Sequence, residues 1–144
     1  MRKSINTPAT LYNYHKDPVT KEEGWYRTVL YGVHWENNKA VNVITSGLST
    51  ADGVTIFIWD DVKTDGKEYV SPKKYASLPS NMIEKYWTLE EGKDRMITGI
   101  VYDTTSPVII DRFVSKYDDC MTVKSVDRRD FGSKRMHHWE VNGS

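Results

Sequence analysis

Histidine is the residue type in this chain with the widest chemical repertoire, and His34, His137 and His138 all lie in segments that alternate like strands. Because His137 and His138 are adjacent, their side chains point to opposite faces of a sheet. His34 could lie opposite one of them across a strand pair, but the sequence offers no third ligand for a zinc-type site. The spacing therefore predicts ordinary sheet-face histidines and no metal site.

Two pairs of adjacent carboxylates, Asp60-Asp61 and Asp118-Asp119, stand at the ends of predicted elements. Paired carboxylates can perform acid–base catalysis or hold hard cations. No D-x-D-x-D-G calcium loop is present, however, and polar turn residues are the favoured interpretation of both pairs. Cys120 opens an apolar strand without a neighbouring histidine, which is typical of a small buried hydrophobe.

The usual sequence patterns of catalytic and cofactor sites are also missing. No serine lies in G-x-S-x-G, and the glycines form neither G-x-G-x-x-G nor a P-loop. We therefore predict a non-enzymatic protein with no catalytic residues and no cofactor. A small hydrolase that uses the acidic pairs is the weakest alternative.

The most suggestive segment is the polar stretch from Asp127 to Lys134, between the last two predicted strands. It is long for a hairpin connection and carries Arg128 and Arg129 close to Phe131. An exposed aromatic flanked by arginines is a common contact patch for protein or nucleic acid. The alternative is a solvated hairpin tip with Phe131 folded back on the core. We predict that Arg128, Arg129, Phe131 and Lys134 contact a partner or line a channel.

Aromatic residues are the second candidate for binding, since Tyr and Trp far outnumber Phe. Trp25, Tyr26 and Trp35 could stack the bases of single-stranded nucleic acid on a β-barrel. Core and sheet-face packing is the more ordinary use of such residues. A single-stranded nucleic-acid module is therefore the alternative function.

Composition limits the classes further. A chain of 144 residues is expected to form one domain, 1–144, with a short N-terminal tail, 1–8, that could be flexible. The net charge is zero, so the surplus of cations that a non-specific nucleic-acid binder needs is missing. One cysteine allows no internal disulfide, and no stretch approaches the roughly 20 apolar residues that cross a bilayer. Since the N-terminus also lacks a signal-peptide pattern, we expect a soluble protein that is made inside the cell and does not contact membranes.

The elements that must position these residues are mainly strands. Alternation, turn residues and a Ser-Pro start predict a mainly β (all-β or α+β) antiparallel domain, with helix at two places. The segment Asn81–Trp87 could be either a turn or an extended piece. The predicted strands are Thr10–His15, Gly24–Trp35, Ala40–Thr45, Val54–Trp59, Met96–Tyr102, Met121–Val126 and Arg135–Val141, and the predicted helices are Lys73–Leu78 and Pro107–Tyr117. In the second strand the odd positions from Trp25 to Trp35 form one mainly apolar face. The helix Pro107–Tyr117 carries an apolar stripe and is expected to cover the sheet.

Short motifs along most of the chain carry a family resemblance. They are T-L-Y-N-Y-H-K-D-P-V-T from Thr10, W-Y-R-T-V-L-Y-G-V-H-W from Trp25, Y-V-S-P-K-K-Y from Tyr69, K-Y-W-T-L-E-E-G-K-D from Lys85, D-T-T-S-P from Asp103, F-V-S-K-Y-D-D-C-M-T-V-K-S-V-D-R-R from Phe113 and H-W-E-V-N-G from His138. In this order they resemble small structural proteins encoded in the head-to-tail gene clusters of tailed bacteriophages and prophages of Gram-positive hosts. The chain is similar to minor capsid and head-closure (head–tail connector, stopper-like) proteins.

The resemblance implies a small β-barrel or sandwich with one covering helix and no catalytic residues. It also implies a virion protein, made in the cytoplasm of the bacterial host, that docks as a ring between portal and tail proteins. Ring subunits meet through two different surfaces. Some proteins of this kind use a loop to gate the DNA channel, so contact with DNA there is part of the expectation.

Overall fold

The computed structural model describes residues 4–38, 53–102, 116–117 and 119–144. Within these ranges the chain is mainly strand, with one short α-helix. The elements are β1 Thr7–Lys16, β2 Glu23–Asn38, β3 Gly53–Trp59, β4 Glu68–Tyr69, α1 Pro72–Ser77, β5 Tyr86–Trp87, β6 Arg95–Thr98, β7 Cys120–Arg129 and β8 His138–Gly143, with 3₁₀ turns at Ile83–Lys85 and Lys134–Met136. No described helix has the length and apolar character needed to span a membrane.

Six strands close into an antiparallel barrel in the order β1-β2-β3-β8-β7-β6, while β4 and β5 form a separate parallel pair. This confirms the predicted mainly β, antiparallel fold, and of the two expected architectures, barrel and sandwich, the structure is a barrel. Closure gives each of the six strands a neighbour on both sides over at least part of its length, so most of the edge that a small open sheet would expose is paired. The core is built from the inward side chains of the barrel and of the segment that crosses it, namely Ala9, Leu11, Leu30, Val33, Trp35, Ile56, Ile58, Trp87, Leu89, Met96, Met121, Val123, Trp139 and Val141.

Strand β2 turns a corner of the barrel, because a β-bulge interrupts its pairing with β1. Thr7 pairs with Val33 but Ala9 pairs with Leu30, so β2 contains one extra residue. Gly32 lies at this bulge with φ +117°. The bulge changes which face is buried: Leu30 and Val33 both reach the core, whereas Tyr31 is 44% exposed. The predicted single apolar face from Trp25 to Trp35 is therefore wrong, since a strict period of two does not pass through a bulge.

Replacing Gly32 by Ala is expected to destabilise the barrel by about 3 kcal/mol. A Cβ at this position would lie 2.5 Å from Cγ2 of Ile5, and φ +117° is a conformation that side chains rarely adopt. Denaturant unfolding followed by circular dichroism measures the change. Gly66→Ala is the matched control, since it has a positive φ but no atom within 4 Å of the added carbon, and it should cost only about 1 kcal/mol. Equal losses in the two variants would contradict the role of the contact with Ile5.

The segment between β3 and β6 crosses the barrel and contributes to its core. Ser71 caps α1 by accepting a hydrogen bond from the Lys74 backbone N–H at 3.2 Å, with Pro72 at the first turn. The predicted helix Lys73–Leu78 is thus confirmed, shifted by one residue. The undecided segment Asn81–Trp87 contains both a 3₁₀ turn and the short strand β5.

The remaining predicted elements differ mainly at their ends. Strand β6 stops at Thr98 rather than Tyr102, because Gly99 has φ +84° and its N–H donates to the Pro8 carbonyl. The first strand begins at Thr7, and the last begins only at His138. The predicted strand Ala40–Thr45 and residues 107–115 of the predicted helix Pro107–Tyr117 lie outside the described residues, while Lys116 is in a turn.

A buried polar network fastens the turn before β6 to strand β1. The Asp94 carboxylate accepts hydrogen bonds from the Asn13 side chain at 2.7 Å and from the backbone N–H groups of Tyr14 at 3.0 Å and Glu90 at 2.8 Å. Asn13 also donates to the Thr88 carbonyl at 2.7 Å. Both Asp94 and Asn13 are fully buried. Burial raises the pKa of the Asp94 carboxyl to about 7, although the three N–H donors oppose that shift.

Candidate interaction surface

The predicted contact loop is the hairpin that joins β7 to β8. Strand β7 continues to Arg129, so Arg128 and Arg129 lie on its last two positions rather than in the loop. They pair with Trp139 and His138 of β8. Because neighbouring residues of a strand point to opposite faces, the two arginines leave the hairpin on different sides.

Arg128 is held by two contacts that fix its orientation. Its guanidinium lies 4.4 Å from the centre of the Trp139 ring and donates two hydrogen bonds, of 2.5 and 2.8 Å, to the carboxylate of Asp60. The hydrogen bond with Asp60 raises the pKa of Arg128, so the side chain stays charged. Asp60 is itself fixed, since its backbone N–H donates to the His137 carbonyl at 3.1 Å. This bidentate pair anchors the base of the hairpin to the end of β3.

Arg129 makes a separate polar cluster on the other side. Its Nε lies 3.2 Å from Oε2 of Glu140, and Nε2 of His138 lies 3.1 Å from the same oxygen. The His138 ring also packs against Trp59, with ring centres 4.5 Å apart. Both arginines are therefore tied to carboxylates, and each still exposes a good part of its side chain.

Phe131 lies at the tip of the hairpin and is 70% exposed. It is not folded back on the core, so that part of the alternative interpretation is wrong, while contact with a partner stays a prediction. Beyond it, Lys134 starts a 3₁₀ turn and lines a shallow groove of about 450 Å³ together with Asp60, Arg135 and His137. The hairpin thus presents an apolar ring between cations on both sides.

The four predicted contact residues consequently do not form a single cluster. Arg128 and Lys134 lie on the side of Asp60, Arg129 lies on the side of Glu140, and Phe131 occupies the tip. The sequence shows Asp60 only as one half of an acidic pair, and its hydrogen bonds with Arg128 were not predicted. Only the pairing of β8 with both β3 and β7 brings these residues together, and no local pattern reveals that strand order.

The aromatic residues proposed as a stacking platform are also dispersed. Trp35 is 7% exposed and belongs to the barrel core. Trp25 packs against a second cluster that contains Tyr12, while Tyr26 packs against a third cluster around Tyr75. Among the described residues these three rings do not share one exposed surface.

Histidines, acidic residues and Cys120 are the other side chains whose chemistry would suit metal binding or catalysis. Within the described ranges, no group of three or more His, Cys, Asp or Glu side chains is placed to hold a metal ion. His34 lies 2.7 Å from Glu36 on its own strand, and the rings of His34 and His138 both pack against Phe57, with ring centres 5.6 and 5.8 Å from it. Burial raises the pKa of the Cys120 thiol, which disfavours the reactive thiolate.

An apolar groove that sequence reasoning did not identify lies beside Arg128. Its volume is about 780 Å³, and Tyr69, Leu89 and Trp139 form much of its lining. The Tyr69 ring packs on both Trp87 and Trp139, with ring centres 5.1 and 4.6 Å apart. The motif around Tyr69 and the closing H-W-E-V are both rich in aromatic residues, but no local pattern predicts that the rings of Tyr69 and Trp139 meet.

Comparison with known proteins adds a family assignment. Residues 4–144 match the model of a family described as "Family of unknown function (DUF6751)", and the chain belongs to this family. No curated protein matches the sequence significantly. No solved structure gives a significant match either.

Proposed function

We propose that this member of the DUF6751 family is a non-enzymatic structural protein of a tailed-bacteriophage virion. Its position would be at the head–tail junction, as a head-closure, head–tail connector or minor capsid component that joins portal and tail proteins. The sequence similarities that run in order along most of the chain support the proposal, and a small closed barrel is the kind of fold that they imply.

The observation that carries the proposal is the β7–β8 hairpin. Its tip exposes 70% of Phe131, and its base is held by the bidentate pair between Arg128 and Asp60. A large apolar ring on a pre-organised support loses little entropy when a partner covers it. Lys134 and Arg135 next to it could approach phosphates if the hairpin faces a DNA channel.

The barrel also offers two different surfaces, as self-association into a ring requires. In the strand order, β2 and β7 are three strands apart in either direction, so they lie on opposite walls. The wall of β2 exposes Tyr31 at its bulge and, beside it, Tyr102, over which Arg27 packs at 5.4 Å. An aromatic surface on one wall and the hairpin on the other suit head-to-tail contacts between copies.

Deleting the coding sequence from an inducible phage tests the proposal. We expect lysates that contain heads and tails but few joined particles, since a head–tail component is needed only for the junction. Electron microscopy of the lysates gives the count, and supplying the intact chain from a plasmid should restore joined particles. Normal numbers of complete virions without the chain would overturn the proposal.

A further inference from the structure

Strand β7 has an edge that no described strand covers. On one side it pairs with β8 as far as Arg129, but on the other it pairs with β6 only over Cys120–Thr122. The N–H of Val126 points to this uncovered side, because it donates at 2.8 Å to the side-chain carboxylate of Glu91. The Glu91 side chain thus accepts the hydrogen bond that a carbonyl of a neighbouring strand would otherwise accept.

The alternation of antiparallel pairing extends this edge by one more residue. In an antiparallel strand, the N–H and C=O groups of every second residue point to the same side. Since those of Val126 point away from β8, those of Arg128, two residues on, do so as well. Over this stretch, the residues that the structure describes supply no neighbouring strand on that side. Uncovered edges of this kind are where extended polypeptides add as strands.

The groove beside this edge has a definite chemistry. It is the groove of about 780 Å³ described above, and it is lined by Tyr69, Leu89 and Trp139 and by two acidic residues, Glu90 and Glu91. The charge of Arg128, which also lines it, is already compensated by Asp60. The groove therefore combines apolar side chains, called its floor below, with two acidic ones, called its acidic rim.

We propose that the edge of β7 at Val126 and Arg128 accepts an extended partner segment in which apolar and basic residues alternate. A backbone carbonyl of the incoming strand replaces Glu91 as the acceptor of the hydrogen bond from the Val126 N–H. The released Glu91 carboxylate then pairs with a lysine or arginine of that strand. Apolar side chains of the segment then cover the aromatic floor. The inference goes beyond the virion role, and it can be tested on the purified chain, so that failure of either proposal leaves the other standing.

The test uses the acetylated and amidated peptide Val-Lys-Val-Lys-Val-Lys-Val with isotope-labelled protein. We expect saturable shifts of the Val126 and Arg128 amide signals below about 1 mM peptide. The same peptide with glutamate in place of lysine should bind at least about tenfold more weakly, since it meets the acidic rim with like charge. Glu91→Gln should weaken the lysine peptide severalfold, whereas Glu84→Gln, on an exposed turn away from this edge, should not.

Backbone pairing is tested with two further peptides, methylated on the nitrogens of all lysines or of all valines. Only every second residue of an added strand directs its backbone N–H toward β7. One of the two methylated peptides should therefore lose about tenfold or more in affinity, and the other should bind normally. Val126→Pro, which removes the uncovered N–H, should abolish binding. If this variant does not fold, the two methylated peptides alone test whether binding depends on backbone pairing. Absence of shifts, equal binding of the glutamate peptide, or equal effects of both methylations would overturn the proposal.

Discussion

Replacement of Arg128, Arg129 and Phe131 by serine should lower the yield of complete particles by roughly two orders of magnitude or more. The three side chains form the tip and base of the hairpin, and together they supply its exposed ring and two of its charges. The barrel should still fold, because both ion pairs are partly exposed and such pairs contribute about 1 kcal/mol or less. Plaque titre and electron microscopy in a complementation assay measure the loss.

The matched control replaces Lys16, Val19 and Lys85 by serine. These are also two cations and an exposed apolar residue, but they lie away from the β7–β8 hairpin. We expect near-normal titres from this variant. If the hairpin variant folds and still gives normal particles, the hairpin is not the contact surface.

Replacement of Asp94 by alanine should lower the free energy of unfolding by about 3–5 kcal/mol at pH 6. The change leaves the Asn13 side chain and the backbone N–H groups of Tyr14 and Glu90 without their acceptor in a fully buried site. Denaturant unfolding of the purified protein measures it. Asp127→Ala, which removes a carboxylate from an exposed position of β7, should change the stability by less than about 0.5 kcal/mol.

The effect of Asp94 should also depend on pH. Because its pKa rises from 3.8 to about 7 on folding, the folded chain keeps a proton that the unfolded chain releases between these values. The stability linked to this proton is present at low pH and is lost as the pH rises through about 7. The difference in unfolding free energy between the parent and Asp94→Ala should therefore narrow by about 2.5 kcal/mol from pH 5 to pH 8. A gap that widens with rising pH would contradict the raised pKa.

The features predictable from sequence were those with a local cause. Alternation of apolar residues marks β1 and β2, a short apolar run marks β3, and the Ser71-Pro72 pair marks the start of α1, because these signals act within a few residues. The exposed position of Phe131 was one of two interpretations, since a polar connection with Gly132 next to it suits a hairpin tip.

The remaining features depend on contacts between distant parts of the chain. Gly32 reads as one more strand residue until its pairing partner shows the bulge. Asp94 ends the polar stretch E-E-G-K-D, and only the approach of Asn13, 81 positions away, makes it part of a buried network. The pair of Arg128 with Asp60 spans 68 positions, and it follows from strand order rather than from any motif.

The most direct test of the virion proposal is quantitative mass spectrometry of purified particles from an induced host that carries this chain. We expect the chain to be present in complete virions, in a copy number comparable to that of the portal protein, as for a ring at the head–tail junction. Its absence from complete virions would overturn the virion proposal and favour the alternative, binding of single-stranded nucleic acid.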